Sequence, residues 1–167
     1  MDTTSPSTEC RRLVIGVGNA YRRDDGVGLA VARRLQERRI PGITVRTLAR
    51  EASDLLESWE GIDQVVVIDA ANSGAPPGTV HRFHAGTAPL PAELFRCSTH
   101  SFGVAEAVEL ARALGKLPAC LVVYGITAEE FQPGAGLTPE VEAVVDEVVE
   151  RVLQELCSIP NHAEGNR

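Results

Sequence analysis

The chain has 167 residues, a common size for one domain, so a second full domain does not fit. Its 44% hydrophobic content suffices for a sizeable core and is too high for a wholly disordered chain. The formal net charge of −7, with acidic residues gathered in the C-terminal third, argues against a nucleic-acid partner, which needs clustered Lys and Arg.

Residues 1–10 and 158–167 are rich in Ser, Thr, Pro, Asn and Gly and are expected to be flexible tails around a folded unit at 11–157. Leu13-Val14-Ile15-Gly16-Val17 is a short continuous apolar run, the pattern of a strand covered on both faces. Val27 to Arg38 has helical spacing, with Val27, Val31 and Leu35 on one face. Ile43 to Leu48 alternates apolar and polar residues, which predicts a strand nearer the sheet edge, and Ala52 to Trp59 reads as a short helix.

Gln64 to Asp69 is the clearest buried strand, and Asp69 is expected at its end. Pro76-Pro77-Gly78 marks a turn before a partly exposed strand over Thr79 to Phe83. Phe102 to Leu114 reads as a helix that stops at Gly115 and Pro118, and Cys120 to Tyr124 as a further buried strand. The last helix has Thr138 as its N-cap, Pro139 in its first turn and an apolar stripe from Val141 to Leu156. Buried strands alternating with helices predict a single three-layer α/β/α sandwich, an α/β fold with a mostly parallel twisted sheet.

Four cysteines, Cys10, Cys97, Cys120 and Cys157, are scattered without a CxxC pair, so neither a zinc finger nor a disulfide framework is expected. Met1–Glu9 lacks the apolar core of a signal peptide, and no apolar run approaches the ~20 residues that span a membrane. The expectation is a reduced, cytoplasmic protein without a membrane partner. Arg33 to Arg39, the one dense basic stretch, falls on the first helix and reads as its solvated face.

In folds of this class, ligands sit at the C-terminal ends of the strands. The first strand leads to Asp24-Asp25-Gly26, the third ends at Asp69, and the loop Ser98-Thr99-His100-Ser101 precedes a helix. Two carboxylates and an imidazole make a mixed oxygen and nitrogen donor set, suited to zinc or nickel better than to magnesium. Either aspartate of the pair could simply cap the helix; Asp24 is assigned to the cap and Asp25 to the site. An Asx-turn would also explain Asp69, and a lone histidine such as His100 is more often structural than a ligand. His81, His84 and His162 are read as surface residues.

Gly16-x-Gly18 is not a dinucleotide fingerprint, because Tyr21 stands where the third glycine belongs and no acidic residue follows the second strand. No nucleotide cofactor is expected. No G-x-S-x-G elbow or Walker loop occurs either.

Taken together, Ile15-Gly16-Val17-Gly18-Asn19, Asp24-Asp25-Gly26-Val27-Gly28, Val67-Ile68-Asp69-Ala70 and Thr99-His100 resemble the hydrogenase maturation endopeptidases. Gly74 to Thr79, Tyr124-Gly125-Ile126 and Gly136 to Val141 continue the match in order, and the resemblance covers about residues 12–157. It implies removal of a short C-terminal extension from a [NiFe] hydrogenase large-subunit precursor after nickel insertion. It places the nickel-contacting and catalytic positions at Asp25, Asp69 and His100, with the nickel carried by the substrate. One segment departs from the family pattern. Leu48-Ala49-Arg50-Glu51-Ala52 stands where many members have Asp-Gly-Gly-Thr, which leaves the substrate more open than the reaction. Two other expectations remain beside this one: a chaperone-like, metal-sensing module that does not cut, and a metal-dependent hydrolase of another protein.

Overall fold

The computed structural model describes residues 9–49, 52–96 and 102–158. Five strands form one sheet in the order β2-β1-β3-β5-β4. They are β1 (Arg12–Val17), β2 (Ile43–Leu48), β3 (Gln64–Ala71), β4 (Val80–His84) and β5 (Cys120–Thr127). β1, β2, β3 and β5 run parallel, and β4 pairs antiparallel with β5 at the far edge. The expected mostly parallel sheet is present, with β2 at its other edge.

Side-chain parity along the strands assigns the layers. Leu13, Ile15, Val17, Val65, Val67, Leu121 and Val123 pack with Leu55, Trp59, Val104 and Val108, from α2 (Ala52–Ser58), the residue just after it and α3 (Val104–Ala113). Val14, Val66, Ile68, Val122, Tyr124 and Ile126 pack instead with Val31, Leu35, Val145 and Val152, from α1 (Val27–Arg38) and α5 (Val145–Ser158). The result is the three-layer sandwich. β3 is buried at all eight positions because helices cover both of its faces, whereas β2 alternates between half-buried and exposed.

Several boundaries differ from the sequence expectation, each for a tertiary reason. β3 continues to Ala71 and β5 to Thr127, so Asp69 lies two residues short of its strand's end. Gly125 does not stop β5; it pairs with Asp69, and the Phe95 ring fills the space its missing side chain leaves. The final helix is two pieces, α4 (Pro139–Glu142) and α5, although one apolar stripe runs through both. Thr138 is the N-cap residue of α4, yet its hydroxyl makes no capping bond and turns to Asp24 instead. Among the described residues, no helix is long and apolar enough to cross a membrane.

From β1 the chain moves outward to β2 through α1 on one face of the sheet. From β3 it moves the opposite way to β5 through α3 on the other face. The strand order therefore reverses between β1 and β3, and a crevice at their C-terminal ends is the favoured ligand position in an open sheet.

Candidate active site

The segment leaving β1 is shaped by glycines. Gly18 has φ +151°, and a Cβ there would fall 1.9 Å from the Asp25 carbonyl oxygen. At Gly28 a Cβ would lie 2.3 Å from the Ile68 carbonyl oxygen and 2.5 Å from that of Val17. Only glycine lets the first turn of α1 sit directly on the ends of β1 and β3. The Asp-Asp-Gly-Val-Gly pattern thus has a packing cause as well as a chemical one.

Arg23–Gly26 form a 3₁₀ turn that holds both aspartates, and it packs against β3. Arg23 adopts a left-handed conformation, φ 51°, which costs a non-glycine residue roughly 1–2 kcal/mol. Pairing with the loop after β5 holds it there: the Arg23 N–H donates to Gly134 at 3.0 Å, and its guanidinium donates to the Ala135 carbonyl at 3.0 Å.

Asp24 is fully buried and does not cap a helix, contrary to the sequence expectation. Its carboxylate accepts the N–H groups of Glu129 (2.9 Å), Glu130 (3.1 Å) and Thr138 (2.8 Å). It also takes the Thr138 hydroxyl, at 3.0 and 2.9 Å from its two oxygens. One side chain thereby ties the turn to both ends of the β5–α4 loop. The N-cap position of α1 falls to Gly26, which has no side chain to offer.

Asp25 is 1% exposed, and its backbone is held by Arg22 and Asn19 at 3.1 and 3.2 Å. Asp69 is also 1% exposed, and its Oδ1 accepts the N–H of Ala70 at 2.8 Å. Asp25 thus follows β1 and Asp69 lies near the C-terminal end of the adjoining β3, where the strand order reverses. Carboxylates this deeply buried are rare away from partners or functional sites. His100, with Ser98 and Thr99, lies outside the described residues, as do Arg50 and Glu51 of the divergent segment. Among the described residues, no three His, Cys, Asp or Glu side chains are grouped to hold a metal ion.

His81 and His84 are half-buried rather than surface residues. The register aligns His81 and Asp69 on either side of Gly125, and the His81 Nε2 lies 3.1 Å from the Ser73 Oγ and 3.0 Å from the Thr127 Oγ1. The two hydroxyls are 2.8 Å apart, and Ser73 also accepts the Ala75 N–H. This cluster pins the β3–β4 loop close behind Asp69. The available signal was parity: His81 shares a strand face with Phe83, whose ring stacks on it and meets Phe95 edge-on. A cavity of about 390 Å³, lined by Trp59, Ile62, Asp63, Lys116 and Pro118, opens at the other ends of β3 and β5 and is remote from these carboxylates.

Residues 30–155 match the family model described as hydrogenase maturation protease. The hydrogenase 2 maturation protease of Escherichia coli K12 is 32% identical over 151 residues, covering 87% of this chain and 90% of that protein. The hydrogenase expression/formation protein HupD of Thiocapsa roseopersicina is 29% identical, covering 87% and 67% of the two chains. Among solved structures, the hydrogenase maturating endopeptidase HybD from E. coli superposes with a TM-score of 0.74 at 28% identity, over 89% of this chain and 93% of that one. The [NiFe] hydrogenase maturation protease HybD from Thermococcus kodakarensis does so at 0.66 and 28%, over 87% and 98%. With the model spanning most of its length, this chain belongs to the hydrogenase maturation protease family and is a hydrolase.

Proposed function

We propose that the enzyme removes the C-terminal extension of a [NiFe] hydrogenase large-subunit precursor once nickel is in place, and that nickel held by the substrate is its recognition element. The observation that carries this reading is the placement of Asp25 and Asp69. Both are buried to 1% exposure, Asp25 on the 3₁₀ turn that follows β1 and Asp69 in β3, at the reversal of the strand order. Two such carboxylates and the imidazole of His100 are donors a borderline divalent ion accepts.

When docked, the substrate's ion would supply positive charge beside the scissile peptide and orient it. The chain's own residues do the rest. Asp69 would bind from β3 and Asp25 from the 3₁₀ turn packed against it, so the site's shape is set by the sheet and by that turn together. A carboxylate held among apolar side chains can serve as general base, drawing a proton from the attacking water. Asp24 and Thr138 keep the turn that carries Asp25 against the sheet edge. The 3₁₀ turn at Ala92–Phe95 rests on β3 and is tied to it where the Leu94 carbonyl accepts the Asn72 N–H.

The test is Asp69→Asn, which removes the charge and keeps the shape. Intact mass of a nickel-loaded precursor should show complete shortening with the wild type and none with the variant. Equal shortening by both would remove Asp69 from the chemistry. A precursor bound but never shortened by the wild type would instead support a chaperone-like role.

A further inference from the structure

Four large apolar side chains are exposed among the described residues: Tyr21 (80%), Leu114 (56%), Phe102 (51%) and Leu110 (40%). Single exposed apolar residues are ordinary on a protein surface. Position distinguishes two of these. Tyr21 lies four residues before Asp25, and Phe102 two residues after His100.

The backbone of Tyr21 is fixed at both ends. Its N–H donates to the Asn19 Oδ1 at 2.9 Å, and its carbonyl accepts the Gly134 N–H at 2.8 Å. The ring is thus held outward by a rigid turn and is not exposed through fraying. Phe102 is placed by its neighbour Gly103, whose N–H donates to the Glu106 carboxylate at 3.1 Å and which packs near the Phe95 carbonyl. That carbonyl belongs to the 3₁₀ turn over the end of β3, where the Leu94 carbonyl accepts the Asn72 N–H at 2.7 Å. Tyr21 therefore borders the strand-end edge from the side of α1, and Phe102 borders it from the side of α3.

We propose that Tyr21 and Phe102 are docking residues that hold a folded protein substrate against the candidate site. Each ring would pack on an apolar patch beside the segment to be cut. The proposal rests on the endopeptidase reading above, which requires a polypeptide at this edge. A chain working on a protein needs contact area around its buried carboxylates, and outward aromatic rings provide large area at little conformational cost. Tyrosine is among the residues that most often dominate such contacts. Leu110 and Leu114 occupy the middle and far end of α3, away from this edge, and serve as the internal comparison.

The experiment compares the full chain with Tyr21→Ser, Phe102→Ser, the double variant and Leu114→Ser. Thermal melting verifies folding. Binding of a nickel-loaded large-subunit precursor is read by biolayer interferometry and its shortening by intact mass, each measured separately. The double variant should melt like the wild type yet bind the precursor about tenfold or more weakly. The loss should appear in KM rather than kcat, and Leu114→Ser should match the wild type. Equal binding by the double variant and the wild type overturns the docking surface and leaves the endopeptidase reading intact. Binding without cleavage by the wild type overturns the endopeptidase reading, while docking is still decided by the variants' affinities. A wild type that binds no precursor overturns the docking proposal.

Discussion

Asp24 and Asp25 are consecutive and equally buried, yet their carboxylates have different work. Asp24 takes the N–H groups of Glu129, Glu130 and Thr138, so removing it leaves a buried donor at Thr138 and two part-buried donors without their acceptor. Leaving one buried donor unpaired costs about 1–3 kcal/mol. Asp24→Ala should therefore destabilise the fold by about 2–3 kcal/mol, seen as a lowered denaturant midpoint. Asp24→Asn, which keeps an acceptor, should cost less than half of that. Thr138→Val removes only the hydroxyl and should cost about 1 kcal/mol. A stability unchanged by Asp24→Ala would mean the loop is not held this way. The sequence located Asp25 because a strand end followed by a helix is a local pattern. It could not reveal Asp24's partners, which lie more than a hundred residues away and join it only when β1 and β5 share a sheet. Histidine 81 was misplaced for the same kind of reason: its neighbours come from a loop and from another strand.

At the level of elements, β4, β5 and α5 are joined by one polar cluster. Arg82 grips Glu155 through Nε at 2.7 Å and a terminal nitrogen at 2.6 Å, and the Tyr124 hydroxyl donates to the same carboxylate at 2.9 Å. The bond from Arg82 holds the Glu155 carboxyl below its ordinary range. Burial first, and then the bond to Glu155, push the Tyr124 hydroxyl up to about 12. Glu155 thus adds stability that is present above the ordinary carboxylate range near 4.3 and fades as pH falls below it. Tyr124 adds stability that is present below about 10 and fades as pH rises toward 12. Glu155→Gln should lower the melting temperature at pH 7, and the gap from the wild type should narrow at pH 3–4. A gap constant with pH would assign the cluster no ionic role. Parallel strands and their helices were legible from continuous apolar runs. The antiparallel direction of β4 was not, because strand direction depends on which neighbour is met.

For the whole molecule, the order β2-β1-β3-β5-β4 accounts for the site better than any one residue does. It brings the ends of β1 and β3 together, and glycine at 28 lets α1 press onto both. Gly28→Ala should force the Val17 and Ile68 backbones to give way, at about 1–3 kcal/mol by analogy with overpacked cores, and should reduce cleavage more than stability predicts. A variant that cleaves at the wild-type rate would show that this close approach is not needed. The sandwich could be read from residue pattern, because buried apolar runs are local features, whereas Asp69 lies inside β3 and not at its end, because pairing with β5 carries the strand on to Ala71. The docking edge could not, since it depends on which side chains remain uncovered after folding. Nickel borne by the substrate is the recognition element proposed for this site. The most direct test of that proposal is intact mass of one large-subunit precursor, nickel-loaded and nickel-free, after incubation with the enzyme. Loss of the C-terminal extension from the nickel-loaded form alone is the expected result, and equal shortening of both forms would overturn recognition through nickel.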